Sequence, residues 1–161
     1  MKQTILVLFI ISIVAGACNY SAGYKKDFGT GLTFSYHGFR VQRVLLAGPG
    51  NQVMDKNEVT LNTQVAIVVT GIGNYGLKDG KVFPGMKLEV TDKKGTPVIS
   101  VADLFAGGDG YPPEQATELR GTITVAQPMA AGETYQVKMH IWDKVTPDNT
   151  LDASTTLIVK Q

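Results

Sequence analysis

The chain has 161 residues, and its 15 lysine and arginine side chains nearly balance 14 aspartate and glutamate side chains, for a formal net charge of +1. This balance, without a polybasic segment, argues against a nucleic-acid partner and against a basic lipid-binding patch. The chain has one cysteine, which excludes an internal disulfide. The length suits one domain with its own core.

The first 17 residues have the layout of a signal peptide. Lys2 precedes an apolar run over residues 5–14, and the small residues "AGA" stand before Cys18. This run is shorter than the roughly 20 apolar residues of a membrane-spanning helix. The stretch "VAGAC" resembles the lipobox of bacterial lipoproteins, with Ala15 where that family usually has Leu.

The resemblance implies cleavage before Cys18, a lipid on its thiol, and an anchor in the bacterial cell envelope, which we expect to be the outer membrane. The alternative is cleavage of the same bond by ordinary signal peptidase, because "AGA" also satisfies its rule. Cys18 would then keep a free thiol in an oxidising compartment, where it could pair with another molecule.

The remaining chain divides into a short polar segment and a domain rich in predicted strands. Residues 18–30 lack periodicity and predict a lipidated cysteine followed by a flexible tether, with the folded domain over 31–161. Runs rich in β-branched residues predict seven or eight strands, near 31–36, 39–47, 64–71, 86–92, 96–101, 119–125, 134–143 and 151–160. The stretch "PPEQATELR" predicts a single helical turn.

The clearest pattern lies in "TYQVKMHIWD", residues 134–143. Tyr135, Val137, Met139 and Ile141 alternate with mostly polar side chains, so the first four are expected to face the core. Many short strands without covering helices predict an all-β antiparallel sandwich of the immunoglobulin-like or fibronectin type. A closed β-barrel is the alternative, because strand spacing does not separate the two.

The last 30 residues or so resemble the final two strands of immunoglobulin-like domains in envelope lipoproteins of the Bacteroidota type. The resemblance rests on "GETYQV", on "IWDK" closing a strand and on a final strand ending in "TLIV". It implies a fold and an envelope location, and it implies no substrate. Tyr135 is also similar to the residue of a tyrosine corner.

The inventory of reactive side chains argues against an enzyme. The two histidines are His37 and His140, and the sequence contains no G-x-S-x-G, no H-E-x-x-H and no P-loop motif. On a strand with outward parity, His140 is expected to be an ordinary surface residue. We therefore expect a protein without a catalytic residue and without a cofactor, calcium being the one exception considered.

The calcium hypothesis comes from the acidic loop "WDKVTPDNTLD". Asp143, Asp148, Asn149 and Asp152 are hard oxygen ligands grouped between two strands, although their spacing matches no EF-hand. Asp and Asn also favour hairpin loops through local hydrogen bonds, so turn residues are the alternative.

Three aromatic residues are candidates for ligand binding, because a ring stacks on apolar faces and its polar tip makes hydrogen bonds. Parity places Trp142 on the outward face of its strand, and Tyr111 and Tyr75 fall in glycine-rich loops. We expect a non-catalytic binding or adhesion module for a glycan or an envelope protein. The alternative is a structural or accessory subunit of an envelope complex, which a contiguous exposed apolar patch would favour.

Overall fold

The computed structural model describes residues 21–161, so the predicted signal peptide and Cys18 lie outside the described residues. The described residues form ten strands: β1 (Ala22–Lys26), β2 (Thr33–His37), β3 (Arg43–Ala47), β4 (Glu58–Thr60), β5 (Thr63–Thr70), β6 (Pro84–Thr91), β7 (Pro97–Val101), β8 (Glu118–Val125), β9 (Thr134–Asp143) and β10 (Thr150–Lys160). Two short 3-10 turns cover Pro49–Asn51 and Pro113–Ala116. The second of them is the turn that the sequence predicts.

The strands form two sheets that stack as a sandwich. The large sheet has the order β1-β2-β10-β9-β6-β7, and β4 also pairs with β10. The small sheet has the order β3-β5-β8. All pairings are antiparallel except the one between β4 and β10. The predicted all-β antiparallel sandwich is confirmed, and the barrel alternative is wrong.

Strand β9 has the two faces that its alternation predicts. Tyr135, Val137, Met139 and Ile141 are each at most 4% exposed. The hydroxyl oxygen of Tyr135 accepts a hydrogen bond from the backbone N–H of Ala130 at 2.9 Å. This is the bond of a tyrosine corner, and it fixes the chain that enters β9.

The core lies between the two sheets. On the large sheet it includes Met86 and Leu88 of β6, and on the small sheet it includes Ile67 and Ile123. Gly121 of β8 marks a close approach of the sheets, because a methyl group there would lie 2.9 Å from the sulfur of Met139. Among residues 21–161 there is no helix with the length and apolar character needed to cross a membrane.

Strand β1 lies within residues 18–30, the segment that the sequence predicts as lipidated cysteine and tether. Residues 22–26 pair with β2 along their whole length, from Ala22 opposite His37 to Lys26 opposite Thr33. The turn that follows is fixed by the Asp27 carboxylate, which accepts hydrogen bonds from the backbone N–H and the hydroxyl of Thr30 at 2.7 and 2.9 Å. Both hydrogen bonds from Thr30 lower the pKa of Asp27, and the backbone one has the larger effect. The folded domain therefore includes part of the segment predicted as a flexible tether.

Candidate functional site

The outer face of the large sheet carries polar side chains in rows that cross the strands. In one row, Lys87 of β6 stands opposite His140 of β9, which stands opposite Asp152 of β10. The row continues through Ser35 of β2 to Tyr24 of β1. We call these five residues the central row. Because side chains alternate along each strand, all five project from the same face of the sheet.

A second row lies beside the central row. Glu89 of β6 stands opposite Lys138 of β9. Lys138 in turn stands opposite Ser154 of β10, and Ser154 stands opposite Thr33 of β2. The hydroxyl oxygens of Ser154 and Thr33 are 3.0 Å apart and share a hydrogen bond. We call these four residues the second row. It adds two hydroxyl groups and two charges to the same surface.

The two rows line one groove of about 430 Å³. From β1 to β9 the groove crosses three strand spacings, a span of roughly 14 Å. Tyr24 stands at the β1 end with 69% of its surface exposed. The groove thus offers an aromatic ring at one end and charged and hydroxyl groups along its length.

A hydrogen bond and an ion pair organise the polar groups in the groove. The Nδ1 atom of His140 lies 2.8 Å from Oδ1 of Asp152, and Nζ of Lys87 lies 3.1 Å from Oε2 of Glu89. Among residues 21–161, the ammonium group of Lys138 has neither a hydrogen bond nor an ion pair. Lys138 is therefore the unpaired cation of the groove.

His140 and Asp152 form a histidine–carboxylate pair of the kind that also occurs in catalytic triads. A triad needs a hydroxyl or thiol hydrogen-bonded to the second ring nitrogen of the histidine. No serine or threonine hydroxyl of the described residues makes that bond to His140. The pair thus provides hydrogen-bonding groups on the surface of the groove.

Trp142, a predicted binding residue, lies next to the central row. Its indole stacks on the His140 ring, with the ring centroids 5.6 Å apart and the planes inclined by 21°. The indole also lies across Gly85, the residue opposite it on β6, so closely that a methyl group on Gly85 would overlap the ring. The half-buried Trp142 therefore holds His140 in place from the side of the groove.

The other two predicted aromatic residues do not line this groove. Tyr75 packs edge-on against Phe39 at 5.0 Å, and its hydroxyl donates to the backbone oxygen of Ala116 at 3.2 Å. Burial raises the pKa of the Tyr75 phenol, and the charge of Asp143 adds to the rise. Tyr111 packs edge-on against Phe105 at 5.7 Å. Both rings pack against a neighbouring ring in their loops, and their part in ligand binding stays a prediction.

The predicted calcium ligands do not form one site. Asp143 is fully buried, and its carboxylate accepts hydrogen bonds from the backbone N–H groups of Gly76 and Val145 at 2.6 and 2.9 Å. The side chain of Asn149 donates to the carboxylate and to a backbone oxygen, so both residues hold loops together.

The remaining two predicted ligands lie apart from this hydrogen-bond cluster. Asp148 is exposed in the loop, and Asp152 projects from the sheet toward His140. Among residues 21–161 no cluster of three or more histidine, cysteine or acidic side chains is arranged to hold a metal ion. Asp143 and Asn149 make the local hydrogen bonds expected of turn residues, and calcium binding by this loop stays a prediction.

Sequence reasoning missed most of the groove. Tyr24 fell in the predicted tether, and Lys87 and Glu89 are ordinary outward residues of a predicted strand. The outward parity of Lys138 and His140 was predicted, and both do project from the sheet. The register of β10 against β9 and β2 brings Asp152 and Ser154 between the residues of those two strands. No sequence pattern indicates that register.

Comparison with known proteins gives a fold and no family. No family model and no curated protein matches the chain. Among solved structures, the chain is similar to the crystal structure of the C-terminal domain of Wzt, with a TM-score of 0.50 and 10% identity over 89% of this chain and 80% of that one. A superoxide reductase (neelaredoxin) from Ignicoccus hospitalis has a TM-score of 0.37 and 9% identity over 78% of this chain and 82% of its own. The first likeness is one of architecture, that of an all-β sandwich domain.

Proposed function

We propose that this protein is a non-catalytic binding module that takes an oligosaccharide across the groove on the outer face of its large sheet. The observation that carries the proposal is the composition of the two rows, in which an exposed tyrosine stands at the end of a track of hydroxyl, carboxylate and ammonium groups. Sugars present hydroxyl groups that both donate and accept hydrogen bonds, together with apolar faces that stack on aromatic rings. The groove offers a partner for each.

The length and direction of the groove suit an extended ligand. A chain lying along the central row from Tyr24, at the β1 end, would reach the imidazole of His140 roughly 14 Å away and then Lys87 at the other end. Asp152 and Ser35 lie between them as acceptor and donor. Because the groove is built on paired strands, these groups are held in fixed positions before a ligand arrives.

A protein partner is the alternative, and the composition of the groove weighs against it. Among residues 21–161 the large exposed apolar side chains are Tyr24, Phe28, Val53, Leu77 and Leu104, and of these only Tyr24 lines the groove. An accessory subunit would be expected to present a contiguous apolar patch. A groove lined by charges and hydroxyls is better matched to a glycan.

Binding to a glycan array by the purified chain tests the proposal, with Tyr24→Ala as the diagnostic variant. Phe28→Ala is the matched control, because Phe28 is an 89% exposed aromatic residue on the same hairpin that does not line the groove. We expect Tyr24→Ala to weaken glycan binding by more than about 1 kcal/mol and Phe28→Ala to leave it unchanged.

Trp142→Ala is a second diagnostic variant, and it should also weaken binding because it releases the His140 ring. The glycan proposal fails if no glycan binds or if the Tyr24 and Phe28 variants behave alike. An envelope protein whose capture requires Tyr24 would favour the accessory-subunit alternative instead.

We further propose that the module is held on the bacterial envelope by a lipid on Cys18, in the outer membrane. The support is the signal-like segment of residues 1–17 and the small residues that precede the cysteine. The intact mass of the membrane-extracted protein should exceed that of residues 18–161 by the mass of the lipid. A mature protein with an unmodified thiol, or a Cys18→Ser variant with unchanged membrane association, would contradict the anchor.

A further inference from the structure

The charges of the groove point to a more specific ligand, and this inference rests on the proposed function. We propose that the groove prefers an acidic oligosaccharide, one whose sugars carry carboxylate or sulfate groups, and that Lys138 binds the acidic group.

Lysines outnumber carboxylates on this face of the sheet. Including Lys26, which stands opposite Thr33 at the β1 end, three lysines face two carboxylates on this surface. Glu89 is engaged by Lys87, and Asp152 is engaged by His140. The ammonium group of Lys26 lies 5.7 Å from the centre of the Phe28 ring, and neither residue lines the groove. Lys138 is the cation that a ligand is left to neutralise.

Lys138 occupies a central position in the second row. It stands opposite Ser154 on one side and Glu89 on the other, so its ammonium group projects from the middle of the second row. The hydroxyls of Ser154 and Thr33, which share a hydrogen bond, continue the row away from it. A carboxylate or sulfate placed between Lys138 and Ser154 receives an ionic contact and a hydroxyl donor together.

The carboxylates of Glu89 and Asp152 also face the groove. They repel an acidic ligand, and the ion pair of Glu89 with Lys87 and the hydrogen bond of Asp152 with His140 reduce that repulsion. Both pairs are partly exposed, so salt screens every charge in the groove. Binding of the acidic ligand should therefore weaken as salt is added, and binding of a neutral one should not.

The experiment compares pairs of glycans that differ in charge alone. Oligogalacturonate is compared with its methyl ester, and sulfated dextran with unsulfated dextran, by calorimetric titration of the full chain at low and at physiological salt. Lys138→Met keeps the length of the side chain and removes its charge. Lys78→Met is the matched control, because it removes one lysine charge from an exposed loop residue that does not line the groove.

We expect at least one acidic member to bind about fivefold or more tightly than its neutral partner, a difference that Lys138→Met abolishes and Lys78→Met preserves. The inference is overturned if acidic ligands bind Lys138→Met as tightly as wild type. It is also overturned, with the binding function intact, if neutral glycans bind equally well and depend on Tyr24 and not on Lys138. If no glycan of either charge binds, the proposed function and this inference fall together.

Discussion

Removing the carboxylate of Asp143 should destabilise the fold far more than removing that of Asp148, five residues along the same loop. The Asp143 side chain is fully buried and accepts hydrogen bonds from the backbone N–H groups of Gly76 and Val145 and from the side chain of Asn149. Asp143→Ala leaves the two N–H groups without acceptors in the packed loop, and each such group costs about 1–3 kcal/mol. We therefore expect a loss of about 3–5 kcal/mol in the free energy of unfolding, a large share of a typical domain's stability.

Asp148→Ala is the matched control, because this aspartate is exposed and its side chain makes no hydrogen bond to the described residues. Its cost should stay within about 0.5 kcal/mol. Urea unfolding followed by the fluorescence of Trp142, the single tryptophan of the chain, measures both. Similar costs for the two variants would refute the loop-anchoring role. So would stabilisation of the wild type by added calcium that both variants lose, because that result would restore the calcium site.

Ile141→Ala should cost about 2–5 kcal/mol and Lys138→Ala under about 0.5 kcal/mol in urea unfolding, and equal costs would mean that the faces of β9 are misassigned. Gly85→Ala should cost about 1–3 kcal/mol and shift the emission of Trp142, whose ring a new methyl group would displace; an unchanged spectrum would contradict the contact. Burial alone would raise the pKa of Asp103, but hydrogen bonds from a lysine ammonium and two backbone N–H groups hold it below 3.8. The unfolded chain therefore binds the proton more readily, so stability should fall as the pH drops below about 4, and less so in Asp103→Asn.

The fold was predictable where the pattern is local. Ten residues of strict alternation in β9 specify a strand with one buried face, and β10 repeats the pattern with Leu151, Leu157 and Val159 buried. Strand β1 has no such pattern, because it is an exposed edge strand of sequence "AGYKK". Backbone hydrogen bonds to β2 hold it in the sheet. Such bonds place few demands on residue type, so the amino-acid composition of β1 does not reveal them.

The site was less predictable because it depends on register. Parity alone places His140 outward, but its partner Asp152 lies on another strand, and the sequence assigns that aspartate with equal ease to a calcium loop. The same holds for Asp143, whose donor Gly76 is 67 residues away in the chain. Residue type states which bonds a carboxylate is able to accept, and tertiary structure decides which donors reach it.

The central place of β10 in the large sheet sets the order in which the groove can form. Thr33 and Ser154, which share a hydrogen bond in the groove, are 121 residues apart in the chain. The hairpin of β1 and β2 has no contact with β9 and β6 in the sheet until β10 pairs between them. Contacts of such long sequence separation are slow to form, because closing the intervening loop costs entropy before any contact repays it. The groove is thus complete only once β10 has paired with both β2 and β9, and any ligand binding there would report on completion of the sheet as well as on the side chains that line it.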